Sequence, residues 1–298
     1  MLKSPSLIAA TTCVALAVVL STPVGAAPSA NRAWVSGHGV DQAGCGAPAS
    51  PCRTFQYAHD NVVASGGEID VLDPAGYGPI TITKALSIVN DGVGVAGVQQ
   101  GTSGQNAITI NAGSGDEVLL RGLEIEGLGT GANGVDLVSA FRLTIVNCAI
   151  RRFTSGGVML MPSSASGGVT VSISNTTLWS NGYGLLAYPQ GSATVQGTIS
   201  NVEATGNFEG VYIDGSASSA AGSYLVANEV NASKNWYDGF GANGSVTLAL
   251  TRSLAVGNGY HGVFLGAGAV VGSYGDNRIW NNIQSNVYGG SLTAFSGN

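Results

Sequence analysis

The sequence predicts an all-β protein, a right-handed parallel β-helix (a solenoid) with a short N-terminal capping helix, and three observations carry that expectation. A motif recurs roughly every 23–29 residues through the second half of the chain. Its copies alternate apolar and polar side chains as strands do, and none holds a helical periodicity of useful length. The composition, with 46 glycines and only 9% charged residues among 298, suits short strands joined by tight turns.

From residue 143 each copy reads as an apolar strand, an Asn, a short apolar pair, an Asn-rich turn, then Gly and a second apolar strand. The first Asn recurs at Asn147, Asn175, Asn201, Asn228 and Asn277, with Arg252 in one copy. The Gly recurs at Gly157, Gly184, Gly210, Gly239, Gly262 and Gly289. Segments such as Leu143-Thr144-Ile145 and Val169-Thr170-Val171-Ser172-Ile173 alternate with period two, the mark of half-buried strands. One copy cannot bury its apolar face, but stacked copies build a continuous core with parallel strands about 4.8 Å apart. Fainter copies at Ile80-Thr81-Ile82 and Ile108-Thr109-Ile110 extend the count to roughly eight or nine coils and a rod on the order of 40 Å long. A β-propeller needs about 40 residues per blade, too long for this period.

The ends read differently. Lys3, the apolar stretch 7–20 and Val24-Gly25-Ala26 have the form of an export signal, so residues 1–26 are expected to be removed and 27–298 to form one domain, secreted to the periplasm or the exterior. The apolar stretch is too short and too interrupted by Thr11, Thr12 and Ser21 to span a membrane. Residues 31–70 read as an N-terminal cap: Ser50 and Pro51 supply helix-start signals, and Phe55, Ala58 and Val62 follow at helical spacing. Cys45 and Cys52 flank a short turn and are the expected disulfide, while Cys148 reads as a buried small hydrophobe. Residues 291–298 show no comparable plug, which leaves either a polar last coil or an oligomer formed through the C-terminal end. The formal net charge of −6 argues against double-stranded nucleic acid as a partner.

With Trp34-Val35-Ser36-Gly37, Cys45, Pro51-Cys52-Arg53-Thr54-Phe55 and the run Gly66-Gly67-Glu68-Ile69-Asp70-Val71-Leu72, the chain resembles right-handed parallel β-helix repeat proteins of the pectin-lyase-like superfamily, and among them exported bacterial members of unassigned role. The resemblance implies polysaccharide chemistry, by lyases with calcium-binding aspartates or by hydrolases with clustered aspartates. Gly37-His38-Gly39 matches the letters of a polygalacturonase motif, but its companion motifs are absent, so the superfamily's catalytic residues do not carry over.

Stacking itself nominates a site. The residue before the recurrent Gly is Asn133, Gly156, Tyr183, Glu209, Asp238 and His261 in successive copies, so Glu209, Asp238 and His261 should line up about 4.8 Å per step as a catalytic group. Neighbouring carboxylates raise one another's pKa and an imidazole relays protons, the composition of an acid/base site. The same carboxylates could instead hold calcium, or stand as a solvated turn edge. Asp214, Tyr212, Tyr188 and Lys234 are the expected substrate-binding residues. Phe208, Tyr237 and Tyr260 form either a stacked ladder or, with Tyr183, Tyr188, Tyr212 and Trp236, a platform for sugar rings. Asn181, Asn207 and Asn258 read as a structural amide ladder. The functional expectation is a protein that binds, and as a lyase or glycoside hydrolase cleaves, extracellular polysaccharide. The competing class is a non-catalytic structural or adhesive surface protein.

Overall fold

The computed structural model describes residues 28–296 together with Met1, so the expected export signal lies outside the described residues. Every strand pairing between successive coils is parallel, and residues about two dozen positions apart become neighbours: Val171 pairs with Gly197, Gly197 with Leu225, Leu225 with Leu248. The chain therefore forms the expected parallel β-helix. Two sheets wrap one core. A 17-stranded sheet runs around two sides, and a 9-stranded sheet, from Ile80–Ile82 to Ser285–Tyr288, closes the third.

The period-two alternation explains the core. Val169, Val171 and Ile173 point in and are buried, whereas Thr170 and Ser172 point out. Stacked over Leu143, Ile145, Val195, Ile199, Leu225 and Leu248, they form a continuous apolar column, and each buried aliphatic contributes about 1.5–3 kcal/mol relative to exposure. Cys148 joins this column, and burial pushes its thiol up to about 11.

Between the two sides of the larger sheet the chain turns at residues with φ near +50°, Asn147, Asn175, Asn201, Glu229 and Arg252. Asn tolerates this left-handed conformation better than most residues, which accounts for the recurrent Asn. Two assignments to that column are corrected. Ser200 pairs with Asn228, so Glu229 takes the corner and Asn228 accepts a hydrogen bond from Arg252. Asn277 lies one position past the corner, where it accepts from the Ser253 N–H and donates to the Leu250 carbonyl. Coils differ in turn length, so a count along the chain slips by one. A longer slip, of three positions, affects the recurrent Gly: His261 pairs with Ser285 and Val263 with Val287, so Asn286, not Gly289, follows Gly262.

The N-terminal helix spans Phe55–Asn61, later than the Ser50-Pro51 signal implies. Ser50 bridges back to Ala47, Cys52 pairs with Val35, and the Asp41 carboxylate accepts from Arg53 N, Thr54 N and Thr54 Oγ1. Those bonds and the Cys45–Cys52 disulfide hold the chain extended until Thr54, whose hydroxyl caps the helix by accepting from Tyr57 N. The helix covers the first edge of the nine-stranded sheet: Thr81 N donates to Gln56 Oε1, Thr83 N to His59 Nε2, and Phe55 packs on Tyr77 with centroids 4.9 Å apart. Edge donors that would invite another strand are thereby satisfied. At the other end the last coil leaves Trp280, Ile283 and Tyr288 exposed. Among the described residues no helix is long and apolar enough to cross a membrane.

Candidate functional site

The outer surface of the nine-stranded sheet carries the column expected from the repeat. Asn133 pairs with Gly156, Gly156 with Tyr183 and Tyr183 with Glu209. Gly210 N bonds to Asp238 O, and Gly239 N to His261 O, which continues the line through Asp238 to His261. The recurrent Gly places these side chains. A Cβ on Gly210 would lie 2.3 Å from the Gly239 carbonyl oxygen, so only glycine lets the chain bend inward there and turn the preceding side chain out.

These residues are not a solvated edge. Glu209, Asp238 and His261 are 7%, 1% and 4% exposed, because aromatic rings stand on both sides of them. On one side Phe208, Tyr237 and Tyr260 stack at 5.5 and 4.3 Å, nearly parallel, so the ladder reading of these rings holds. On the other, Tyr212, Phe264 and Tyr288 line up at 6.2 and 6.0 Å. Tyr212 crosses the intervening coil because Gly241 is there: a Cβ at Gly241 would lie 2.1 Å from its ring. His261 stacks on Tyr288 at 4.5 Å.

Asp238 Oδ1 accepts from the His261 backbone N–H at 2.9 Å and lies 2.9 Å from Nδ1, which therefore carries the ring proton. Burial raises the Asp238 pKa, and these two donors oppose the rise. Glu209 has no such donors. Burial first, and the Asp238 carboxylate second, push its pKa from 4.5 up to about 8, so at neutral pH it is largely a neutral acid.

Glu209 opens on a cleft of about 310 Å³ lined by Tyr183, Leu186, Tyr188, Glu209, Tyr212 and Asp214. Asp214 is oriented by Ser216 N at 2.8 Å and Asn243 Nδ2 at 3.1 Å. The Tyr212 and Tyr183 phenols are pushed up by burial and then by Glu209 and Asp214, so both remain neutral donors toward the cleft. Of the residues nominated from sequence, Glu209, Asp214, Tyr212 and Tyr188 share this cleft, and Asp238 and His261 lie buried behind Glu209. Lys234 is not with them: it sits exposed at a left-handed corner with φ +56°. That corner stands immediately before the Asn235 turn, four residues ahead of Asp238, and Lys234 does not line the cleft.

Sequence reasoning missed the second aromatic row and two members of the amide ladder. Asn181, Asn207, Asn235, Asn258 and Asn282 form the ladder, each backbone N–H donating to the next Asn Oδ1 at 2.9–3.0 Å. Each Nδ2 donates to a carbonyl of the preceding coil, as Asn207 does to Leu178 O at 2.9 Å. Tyr212, Phe264 and Tyr288 share one strand register, and aligning the outward position after the recurrent Gly would have found them. The donor set does not suit calcium. Among the described residues no three acidic, imidazole or thiol groups converge as a metal site, Asp238 is committed to His261, and Glu209 is mostly uncharged at neutral pH.

No family model and no curated protein matches the chain. Among solved structures it is similar to the crystal structure of pectate lyase Pel9A, with a TM-score of 0.59 over 91% of this chain and 78% of that one, at 16% identity. The fold is the pectin-lyase-like right-handed parallel β-helix. Likeness at that identity speaks for the scaffold, and a pectin-lyase-like scaffold hosts many activities, so chemistry has to be read from the cleft.

Proposed function

We propose that this chain is an exported protein that binds extracellular polysaccharide across the Tyr183–Asp214 side of the rod and hydrolyses it, with Glu209 as the proton donor. The observation that carries the reading is Glu209, a carboxylic acid with a pKa near 8 at the wall of an open cleft. Glycosidic cleavage needs an acid still protonated at working pH to protonate the leaving oxygen, and a second carboxylate to act on water or on the sugar. Asp214, which lines the same cleft five residues along the strand from Glu209, is the carboxylate this reading assigns to the second role. Asp238 is a positioning residue whose charge helps hold the proton on Glu209, and His261 fixes Asp238. Export is supported by the form of residues 1–26 and by the Cys45–Cys52 disulfide, which suits an oxidising compartment.

The named similar structure is a pectate lyase, whose substrate class is anionic. Among the described residues no basic side chain lines this cleft to meet a uronate carboxylate, and tyrosines with aliphatic Leu186 suit the apolar faces and hydroxyl rims of neutral sugars. The test is to incubate the chain lacking residues 1–26 with neutral glycans and with polygalacturonate, with and without added calcium. New reducing ends from a neutral glycan, lost in Glu209→Gln, support the reading. Unsaturated products from polygalacturonate would replace it with elimination. Binding without cleavage of any glycan would replace it with the adhesive class.

A further inference from the structure

A second cavity, larger than the cleft just described, lies on another part of the rod. It is a notch of about 520 Å³ at the corner where the amide ladder runs, with Arg152 and Thr154 on one wall, Gly182 and Gly206 at the floor, and Phe208 and Trp236 on the other wall. Its origin is a difference in turn length. In most coils the ladder position is followed by two residues before the outward column: Phe153 leads to Gly156, Asn235 to Asp238 and Asn258 to His261. In two successive coils one residue is missing, and Asn181 leads directly through Gly182 to Tyr183, and Asn207 through Phe208 to Glu209. Two shortened turns make the corner recede between two full ones.

The notch is walled by rings that nothing in the described chain covers. Trp236 is 78% exposed and Phe208 53% exposed. Phe208 ends the Tyr260–Tyr237–Phe208 stack, and the next coil down offers Gly182 where another ring would stand. The stack thus stops one ring short at the notch. The floor is open by choice of residue: the left-handed corner that holds Gly206 holds Arg152, Ser180 and Lys234 in other coils, so this conformation accepts side chains and the glycine leaves space. Arg152 shares the Glu126 carboxylate with Arg151, which also meets Glu124 at 3.3 Å, so two carboxylates balance the two guanidiniums beside the notch. Gly182-Tyr183 and Phe208-Glu209 are consecutive residues, so notch and cleft lie on either side of the same two turns.

We infer that the notch is a second glycan subsite, in which a neutral sugar ring stacks on Phe208 and Trp236 while the chain continues over the two short turns into the Glu209 cleft. This rests on the hydrolase reading, and it adds that the substrate is an oligomer gripped at a distance from the bond that breaks. A pyranose ring fits the wall, because its apolar face suits an exposed aromatic ring and its hydroxyls can meet Thr154 and the Arg152 guanidinium. Distal grip of this kind contributes to binding equally in the ground and transition states, so it sets KM and leaves kcat unchanged.

The test uses the chain lacking residues 1–26 and neutral gluco-, xylo- and manno-oligosaccharides from monosaccharide to hexasaccharide, with tryptophan fluorescence for binding and reducing ends for turnover. Trp236→Ala should raise KM for the longer oligosaccharides by about tenfold, with kcat unchanged and no effect on the shortest ones bound. Gly206→Arg, whose side chain the corner tolerates as it does Arg152, should fill the notch and do the same without removing a ring. Equal affinity of all variants for every length overturns the subsite, as does failure of the whole panel to bind. If Glu209→Gln cleaves normally while the notch variants bind less tightly, the hydrolytic assignment falls and the subsite stands.

Discussion

Two columns run up this rod side by side, one residue per coil, and they behave in opposite ways. At the corner, Asn181, Asn207, Asn235, Asn258 and Asn282 repeat one side chain, and each closes the same hydrogen bonds with its neighbours. A few residues later, Tyr183, Glu209, Asp238, His261 and Ser285 occupy equally equivalent places and no two are alike. Repetition of one polar residue satisfies buried backbone groups coil after coil and yields stability. Variation in a stacked column puts different titratable groups at strand spacing, where the Asp238 carboxylate helps raise the Glu209 pKa and hydrogen bonds from His261 oppose the rise at Asp238.

Glu209→Gln should break the contrast most sharply. On the hydrolase reading it lowers kcat by about 10²–10⁴-fold without unfolding the rod. Its effect on stability has a definite sign. Because the folded pKa is raised from 4.5 to about 8, the contribution of protonated Glu209 is fully present below the unfolded value and is lost as pH rises through about 8. Chemical denaturation across that range should show wild-type stability falling, and Glu209→Gln should flatten the fall and be the more stable protein above pH 8. Activity should decline on the same alkaline limb as the acid loses its proton.

Asn207→Ala should do the reverse. It strands the Asn181 N–H and the Leu178 carbonyl in the interior, at a cost of about 3 kcal/mol by denaturant titration, with kcat retained in the folded fraction. A loss under about 0.5 kcal/mol would show that the ladder is dispensable.

His261→Phe tests the coupling within the varied column. It keeps the ring on Tyr288 but removes the Nδ1 donor, so Asp238 takes up a proton more readily and weighs less on Glu209. The alkaline limit of activity should move down by about one pH unit; an unmoved limit would mean that Asp238 does not tune the acid. Smallest of all, Gly241→Ala presses a methyl group against the Tyr212 ring and should cost about 1 kcal/mol while raising KM, read from melting curves and initial rates.

Much of this was legible in the chain. The recurrent Gly and the alternating strands implied the coil, and the residues before the Gly implied that Glu209, Asp238 and His261 are neighbours. Other features were not legible. Asn228 looked like a corner residue because it is an Asn at nearly the right distance, but corner geometry accepts Glu229 equally, and only the pairing of Ser200 with Asn228 decides between them. Asn235 and Asn282 escaped because the spacing between ladder positions varies, 26, 28, 23 and 24 residues along the row. Lys234 was placed with the substrate because it is close in sequence, although it stands at the corner before the turn and does not line the cleft.

The sequence by itself determined the coil period, the inward face of each strand and the types of residue in each column, because these follow from local alternation and from repetition. Only the tertiary structure decided that the acidic column is buried, that the rings of Tyr212, Phe264 and Tyr288 fence it in, and that two short turns open a notch beside it. Burial, roofing and cavities belong to surfaces brought together from different coils, and the shape of such a surface depends on turn lengths and ring orientations that no single repeat encodes.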